Sequence, residues 1–198
     1  VATGVNAANP HAQPGETVYL LSGAYHESLE PAQSGTAQRP IVFKRRGRDK
    51  VVLDGRGELE IGIRLNQRDH IHVEGLAITG FTSQGLLADR GAGLAVSDCL
   101  VVRNGEGMAL AGEGFSITRC LFRNNSTVGL RLLDCRATGG ELAGNVFDRN
   151  SGAALSVDQP TAVGLWSNYN NFVPGANLNL AGKPALNLAA WQQATGFD

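Results

Sequence analysis

Gly62-Ile-Arg-Leu65, Gly85-Leu-Leu-Ala88, Gly107-Met-Ala-Leu110, Gly129-Leu-Arg-Leu132, Gly152-Ala-Ala-Leu155 and Gly175-Ala-Asn-Leu178 are the segments whose reading decides the fold. The glycines are separated by 23, 22, 22, 23 and 23 residues. Self-similarity at one fixed period of this length marks a stack of repeats. In each segment the first and third residues after the glycine are apolar (Ile63/Leu65, Leu86/Ala88, Met108/Leu110, Leu130/Leu132, Ala153/Leu155, Ala176/Leu178). That period of two is the mark of a strand with one buried face.

Two further strands fit within each period. One comprises Ile71-His-Val73, Leu94-Ala-Val96, Phe115-Ser-Ile117, Leu142-Ala143 and Gly164-Leu-Trp166. The other begins at Gly75, Cys99, Cys120, Asn145 and Asn168, with Asn104, Asn125 and Asn150 each five residues after its first position. The same strand type returns in the same direction every ~23 residues, so the units stack as parallel coils about 4.8 Å apart. The predicted fold is an all-β, right-handed parallel β-helix of six coils, the hand following the preference of parallel crossovers.

Ahead of the coils, Thr17-Val-Tyr-Leu-Leu21, Pro40-Ile-Val-Phe43 and Val51-Val-Leu53 read as strands, with Asp54-Gly55 as a turn. Behind them, Asn187 is an N-cap candidate and Gly196 a stop, which predicts a short helix over 188–195. The chain is expected to be a single domain, with an N-terminal region 1–61, regular coils 62–179 and a helical extension 180–198, cut at both ends.

Composition narrows the function. The 198 residues are 42% hydrophobic and 18% charged, enough for a core, and the net charge of −1 argues against a nucleic-acid binder working by phosphate neutralisation. No apolar run is long enough to span a membrane. The three cysteines, Cys99, Cys120 and Cys135, lack metal-ligand spacing. Cys99 and Cys120 share one offset, with Asn145 and Asn168 continuing it, and read as structural thiols inside the stack.

The runs Pro14-Gly-Glu-Thr-Val-Tyr-Leu-Leu-Ser-Gly-Ala-Tyr-His-Glu27, Arg39-Pro-Ile-Val-Phe-Lys44 and Val51-Val-Leu-Asp-Gly55 resemble the opening of right-handed parallel β-helix proteins of the pectate-lyase-like superfamily. Leu188-Ala-Ala-Trp-Gln-Gln-Ala-Thr-Gly-Phe-Asp198 is similar to a segment that follows the coils in some secreted bacterial members. The resemblance implies a secreted or cell-surface β-helix domain associated with polysaccharide, lyase-like on acidic glycans. The alternatives are a non-catalytic structural or adhesion module and a tailspike-like piece. Neither the Arg-x-Pro-x-x-Arg pattern of classical pectate lyases nor the paired aspartates of polygalacturonases is present.

Stacking converts offsets into columns, and the columns supply candidate sites. Glu74 and Asp98 fall at one offset, and two carboxylates on neighbouring coils are the start of a Ca²⁺ site or an acid/base pair, with Asp98 and Arg119 as a surface ion pair the other reading. Arg103, Arg123 and Arg149 fall within one residue of a common offset, a strip suited to binding the carboxylates of an acidic polysaccharide or a plain solvated face. Lys44 and Arg46, in the basic run Lys44 to Lys50, are the catalytic candidates, because eliminating a uronate requires a cation beside its carboxylate. His70 and His72 alternate with apolar residues and read as surface histidines. Trp166, Tyr169 and Trp191 are the aromatics most able to stack on a sugar ring, with burial of both tryptophans the other reading. Leu87, Ala109 and Ala154 give the glycine-triplet strands an apolar outer face, which is where a packing partner is expected.

Overall fold

The computed structural model describes residues 4–5, 11–135, 140–181 and 183–197. The chain winds as a right-handed parallel β-solenoid of about seven turns. Three seven-stranded sheets run its length. Sheet A comprises Thr17–Leu20, Ile41–Arg45, Ile71–Glu74, Ala95–Ser97, Ser116–Thr118, Gly140–Ala143 and Leu165–Asn168. Sheet B comprises Gly23–Tyr25, Val51–Asp54, Ala77–Thr79, Leu100–Val102, Leu121–Arg123, Val146–Asp148 and Asn171–Phe172. Sheet C comprises Ile61–Asn66, Gln84–Ala92, Glu106–Glu113, Val128–Leu132, Ala153–Val157, Leu178–Leu180 and Lys183–Leu186, the last pairing antiparallel. Winding begins at Thr17, so the stretch before Gly62 already forms coils, which makes seven where the repeat count gave six.

Each sheet buries alternate residues against one continuous core. Sheet B contributes Val51, Leu53, Ile78, Val101, Phe122, Phe147 and Phe172, and the last three rings stack at 4.9 and 5.0 Å between centroids. Identical groups meet because one offset in successive coils lies one strand spacing apart, as aromatic pairs prefer.

The corners are set by stacked turns. Leaving sheet A, the turn residues Gly75, Asp98, Arg119, Gly144 and Tyr169 all have positive φ. Leaving sheet B, Gly80, Arg103, Asn124 and Arg149 do the same. Behind the second set lies an asparagine ladder. The backbone N–H of Phe81 donates to Asn104 Oδ1 at 3.1 Å, that of Asn104 to Asn125 at 3.0 Å and that of Asn125 to Asn150 at 3.2 Å. Their amide nitrogens donate in turn to the carbonyls of Ile78, Val101 and Phe122. Behind the first set, Cys120 N–H donates to Asn145 and Asn145 N–H to Asn170, so the column continues through Asn170 rather than Asn168. Cys99 and Cys120 stand above them, buried and free, with their thiols donating to carbonyls of the same and preceding coils. Hydrogen bonding to Cys99 and burial push the Cys120 thiol pKa up, so it stays neutral.

The glycine column is corrected beyond Gly129. Gly62, Gly85, Gly107 and Gly129 stack in register, but the next coil pairs Leu130 with Leu155 and Leu132 with Val157. Ala154 therefore sits beneath Gly129 and is 3% exposed, and Ser156 takes the outer position. A Cβ on Gly129 would stand 2.6 Å from the Ala154 carbonyl oxygen, which is why the column is glycine where coils approach most closely. The expected outer apolar face of Leu87, Ala109 and Ala154 thus loses Ala154 to the interior. Leu87 and Ala109 are partly buried, between Arg64 and Arg131 in their column.

Two helices complete the chain. Helix α1, Gln159–Gly164, is capped by Asp158 and occupies the turn between sheets C and A, where sequence patterning gave no helix. Helix α2, Leu188–Thr195, matches the predicted span, capped by Asn187 and closed by Gly196 at φ 74°. It buries Trp191 completely.

Candidate functional site

The outer face of sheet A brings together the side chains with chemistry to offer. One column, in strand order, is Tyr19, Lys44, Glu74, Ser97, Thr118, Ala143 and Asn168. Beside it runs Thr17, Val42, His72, Ala95, Ser116, Glu141 and Trp166. Six strand steps separate the ends, roughly 29 Å. The middle is floored by small residues, Ala95, Ser97, Ser116, Thr118 and Ala143, which leave a shallow track.

Aromatic side chains stand at both ends of the track. Tyr19 is 55% exposed, Trp166 50% and Tyr169, in the turn just past Trp166, 79%. Among the described residues these are the exposed Tyr, Trp and Phe side chains, and all three belong to sheet A or the corner leaving it. Among the described residues, the fourteen strands of sheets B and C carry no exposed aromatic side chain.

The charged groups cluster toward the Tyr19 end. Lys44 Nζ lies 5.6 Å from the Tyr19 ring centroid and 3.7 Å from Glu74 Oε2, both partners being its neighbours across the sheet. His72 is on the same strand as Glu74, two residues earlier, so both face outward. Burial and then the nearby His70 push the His72 pKa down, which keeps its imidazole neutral at neutral pH. At the far end Ser116 Oγ donates to Glu141 at 2.7 Å. A neutral imidazole, an ammonium held by one exposed carboxylate and a phenol thus share one patch.

The other candidates fall elsewhere. Arg46 lies just beyond the sheet A strand, ion-paired to Asp49 at 3.4 Å. Glu74 and Asp98 are not in one column, because Glu74 pairs in register with Ser97 and the turn residue Gly75 takes the position level with Asp98. Each is held by a cation, Glu74 by Lys44 and Asp98 by Arg119 through two hydrogen bonds of 2.9 and 2.8 Å. The Arg119 bonds hold the Asp98 carboxyl pKa below its usual value. Calcium requires six to eight oxygens, and among the described residues no three His, Cys, Asp or Glu side chains gather to bind a metal. This pair does not fit a Ca²⁺ site.

Arg103, Arg123 and Arg149 lie at the far edge of sheet B, not on the sheet A track. Arg103 and Arg149 are turn residues with Asn124 between them, while Arg123 is on the strand and pairs with Asp148 at 2.8 Å. Trp166 is on the sheet A strand but two residues from its counted level: it pairs with Glu141, because Asn170 and not Asn168 continues the Asn145 offset. Tyr19 carried no signal as a site residue, because its role depends on Trp166 sharing its sheet six strands away.

A second concavity, about 550 Å³, opens at the corner between sheets C and A, lined by Asp69, Arg90, Glu113 and Asp134 with backbone from Gly91 and Gly112. Asp69 there accepts the Ala92 N–H at 2.8 Å, and Arg90 pairs with Asp89. Its lining carries three carboxylates, Asp69, Glu113 and Asp134, against Arg90, whereas Arg103 and Arg149 stand at the corner between sheets B and C.

The winding, the inward columns and the stacked turns define a right-handed β-helix. The chain belongs to the family described as right handed beta helix region, whose model matches residues 59–174. Over 76 residues it is 36% identical to "Uncharacterized protein YwoF" of Bacillus subtilis (strain 168), a match covering 36% of this chain and 16% of that protein. Among solved structures it is similar to an alginate lyase from Paenibacillus sp. str. FPU-7, with TM-score 0.63 and 18% identity, over 85% of this chain and 63% of that one. It is also similar to pectate lyase Pel9A, with TM-score 0.55 and 14% identity, over 88% of this chain and 68% of that one. At these identities the likeness is one of fold.

Proposed function

We propose that the chain is a secreted or cell-surface polysaccharide-binding β-helix domain that seats an acidic glycan along the outer face of sheet A and acts on it as a lyase. The observation that carries this reading is the placement of Tyr19, Trp166 and Tyr169 at the two ends of one small-residue track with Lys44 on its floor. Aromatic faces stack on sugar rings, and a flat floor of small side chains admits an extended chain. The fold neighbours, an alginate lyase and a pectate lyase, support a carbohydrate role.

The chemistry available is β-elimination. Lys44 exchanges Glu74 for a uronate carboxylate and neutralises it, which acidifies the adjacent C–H. Neutral His72 accepts that proton. The C–H electron pair becomes the new C=C bond, the glycosidic C–O bond on the neighbouring carbon breaks, and the departing oxygen takes a proton from the Tyr19 hydroxyl or from water. Arg46, off the strand, contributes charge at the edge and does not reach the floor.

The test is depolymerisation of a panel of acidic glycans, followed by absorbance of the unsaturated product. Activity is expected to fall by at least ~100-fold in Lys44→Ala, in line with removal of one charge-stabilising group. Trp166→Ala should raise KM more than it lowers kcat, since Trp166 binds and does not react. Absence of product from every uronate-containing glycan, with glycan binding intact, would reduce the reading to a binding module.

A further inference from the structure

Glu141 stands on the outer face of sheet A without a counter-charge. It lies in register between Ser116 and Trp166, one strand spacing from each. Ser116 Oγ donates to its Oε2 at 2.7 Å, and among the described residues no donor reaches Oε1 and no Lys, Arg or His pairs with the carboxylate. Lys44, the cation of the same face, is four strand steps away and is held by Glu74. Four steps are roughly 19 Å, beyond the screening length of about 8 Å at physiological salt, so Lys44 does not neutralise Glu141. Arg119, at the corner leaving sheet A one coil earlier, is held by Asp98 through two hydrogen bonds. Glu113, which ends the sheet C strand leading to Ser116, adds an exposed carboxylate. The other neighbours of Glu141 are uncharged: Thr118, Ala143 and Asn168 in the adjoining column, and the exposed rings of Trp166 and Tyr169. The two ends of the track therefore differ in sign.

We infer that Trp166, Glu141 and Ser116 form a subsite for an uncharged sugar unit, so that the glycan of the sheet A track is a heteropolymer, with uronate at the Lys44 end and a carboxylate-free unit at the Trp166 end. The inference rests on the reading of that face as the glycan seat. The C–H face of a sugar ring stacks on Trp166, and hydroxyls on its rim donate to Glu141, charge-assisted bonds roughly twice as strong as neutral ones. Ser116 occupies Oε2, which orients the carboxylate and leaves Oε1 for the sugar. A uronate in the same place would set two carboxylates side by side. At about 4 Å that repulsion costs about fivefold in affinity even at the dielectric of water, and more beside a protein wall. At the other end the carboxylate of Glu74 has Lys44 to offset it, whereas nothing offsets Glu141. The subsite thus selects by exclusion as well as by attraction.

The test is calorimetric titration with two hexasaccharides, one of galacturonate alone and one alternating glucuronate with N-acetylglucosamine. Glu141→Gln keeps the shape of the side chain and removes its charge. It should tighten binding of the galacturonate probe at least ~3-fold at low salt, with the gain shrinking as salt is raised, because a like-charge contact is gone. The same variant should weaken binding of the alternating probe at least ~3-fold, because a hydrogen bond to a charged group becomes one to a neutral amide. Damage to the strand would weaken both, so the opposite signs isolate a role in specificity, and an unchanged melting temperature will show that the variant folds. The inference is overturned if Glu141→Gln shifts both probes in the same direction or shifts neither. In that event a loss of affinity for both probes in Lys44→Ala would leave the glycan seat standing. If neither probe binds the wild type, or if Lys44→Ala changes nothing, the seat itself is wrong and the subsite falls with it.

Discussion

Asn125 shows what a single side chain does in this stack. Its Oδ1 accepts from the Asn104 backbone and its Nδ2 donates to Val101 and to Asn150, all in the interior. Truncation strands donors and acceptors that water cannot reach, so Asn125→Ala should destabilise by about 2–4 kcal/mol, a few unmade buried bonds at 1–3 kcal/mol each. Asn124, one residue earlier at φ 55°, is exposed and left-handed, so Asn124→Gly should change stability by less than about 1 kcal/mol. Urea unfolding of the pair separates a ladder role from a mere preference for asparagine in turns. The ladder was legible in sequence, since Asn104, Asn125 and Asn150 share one offset. The two-residue shift after Gly129 was not. A period-2 pattern reads the same when slid by two, and Ala153/Leu155 alternates as well as Leu155/Val157 does. Gly152 made the wrong frame look right, although it lies level with Thr127 in a turn, as its 2.6 Å hydrogen bond to the Thr127 carbonyl shows.

Among the elements, helix α1 depends on one carboxylate. Asp158 accepts from Thr161 N–H at 3.0 Å and from Asp134 N–H at 2.7 Å, tying the helix to the preceding coil. Partial burial works against the charged form, but the bonds from Thr161 and Asp134 outweigh it and leave the pKa below the usual aspartate value. A depressed folded pKa means the stabilisation is complete above the unfolded value, near pH 4, and fades as the pH falls through the folded one. Asp158→Ala should therefore cost about 1 kcal/mol at neutral pH, a typical N-cap loss, and the difference from wild type should narrow below about pH 4 in thermal melts. This helix escaped sequence reading because at six residues it is too short for a periodic signal and it replaces a turn. Helix α2 was legible because cap, helix formers and glycine stop all agreed. The metal candidate failed for a related reason. Glu74 and Asp98 share an offset by counting, but Asp98 occupies the turn and Glu74 the strand, so the column that counting built is split by one residue.

At the scale of the molecule, the three sheets divide the work. Sheet C is held by close glycine contacts and ion pairs such as Arg64 with Glu30, sheet B presents the outward column Val52, Ala77, Leu100, Leu121 and Val146, and sheet A carries the aromatic-ended track. Sequence gave the winding and most of the columns, because a repeat fixes vertical neighbours. It did not show which columns share a sheet face, so Lys44 and Trp166 were separate candidates, and Arg103 and Arg149 were grouped with them though they border another sheet. The account rests on the sheet A face as the glycan seat, and the two tryptophans allow a direct measurement of it. Trp166 is half-exposed on that face and Trp191 is fully buried behind helix α2, so titration with acidic oligosaccharides should alter only the solvent-exposed component of the emission. The account predicts a saturable change in wild type that is absent in Trp166→Phe and weakened by Lys44→Ala. Saturable binding of the oligosaccharide with no change in Trp166 emission would place the glycan elsewhere and contradict it.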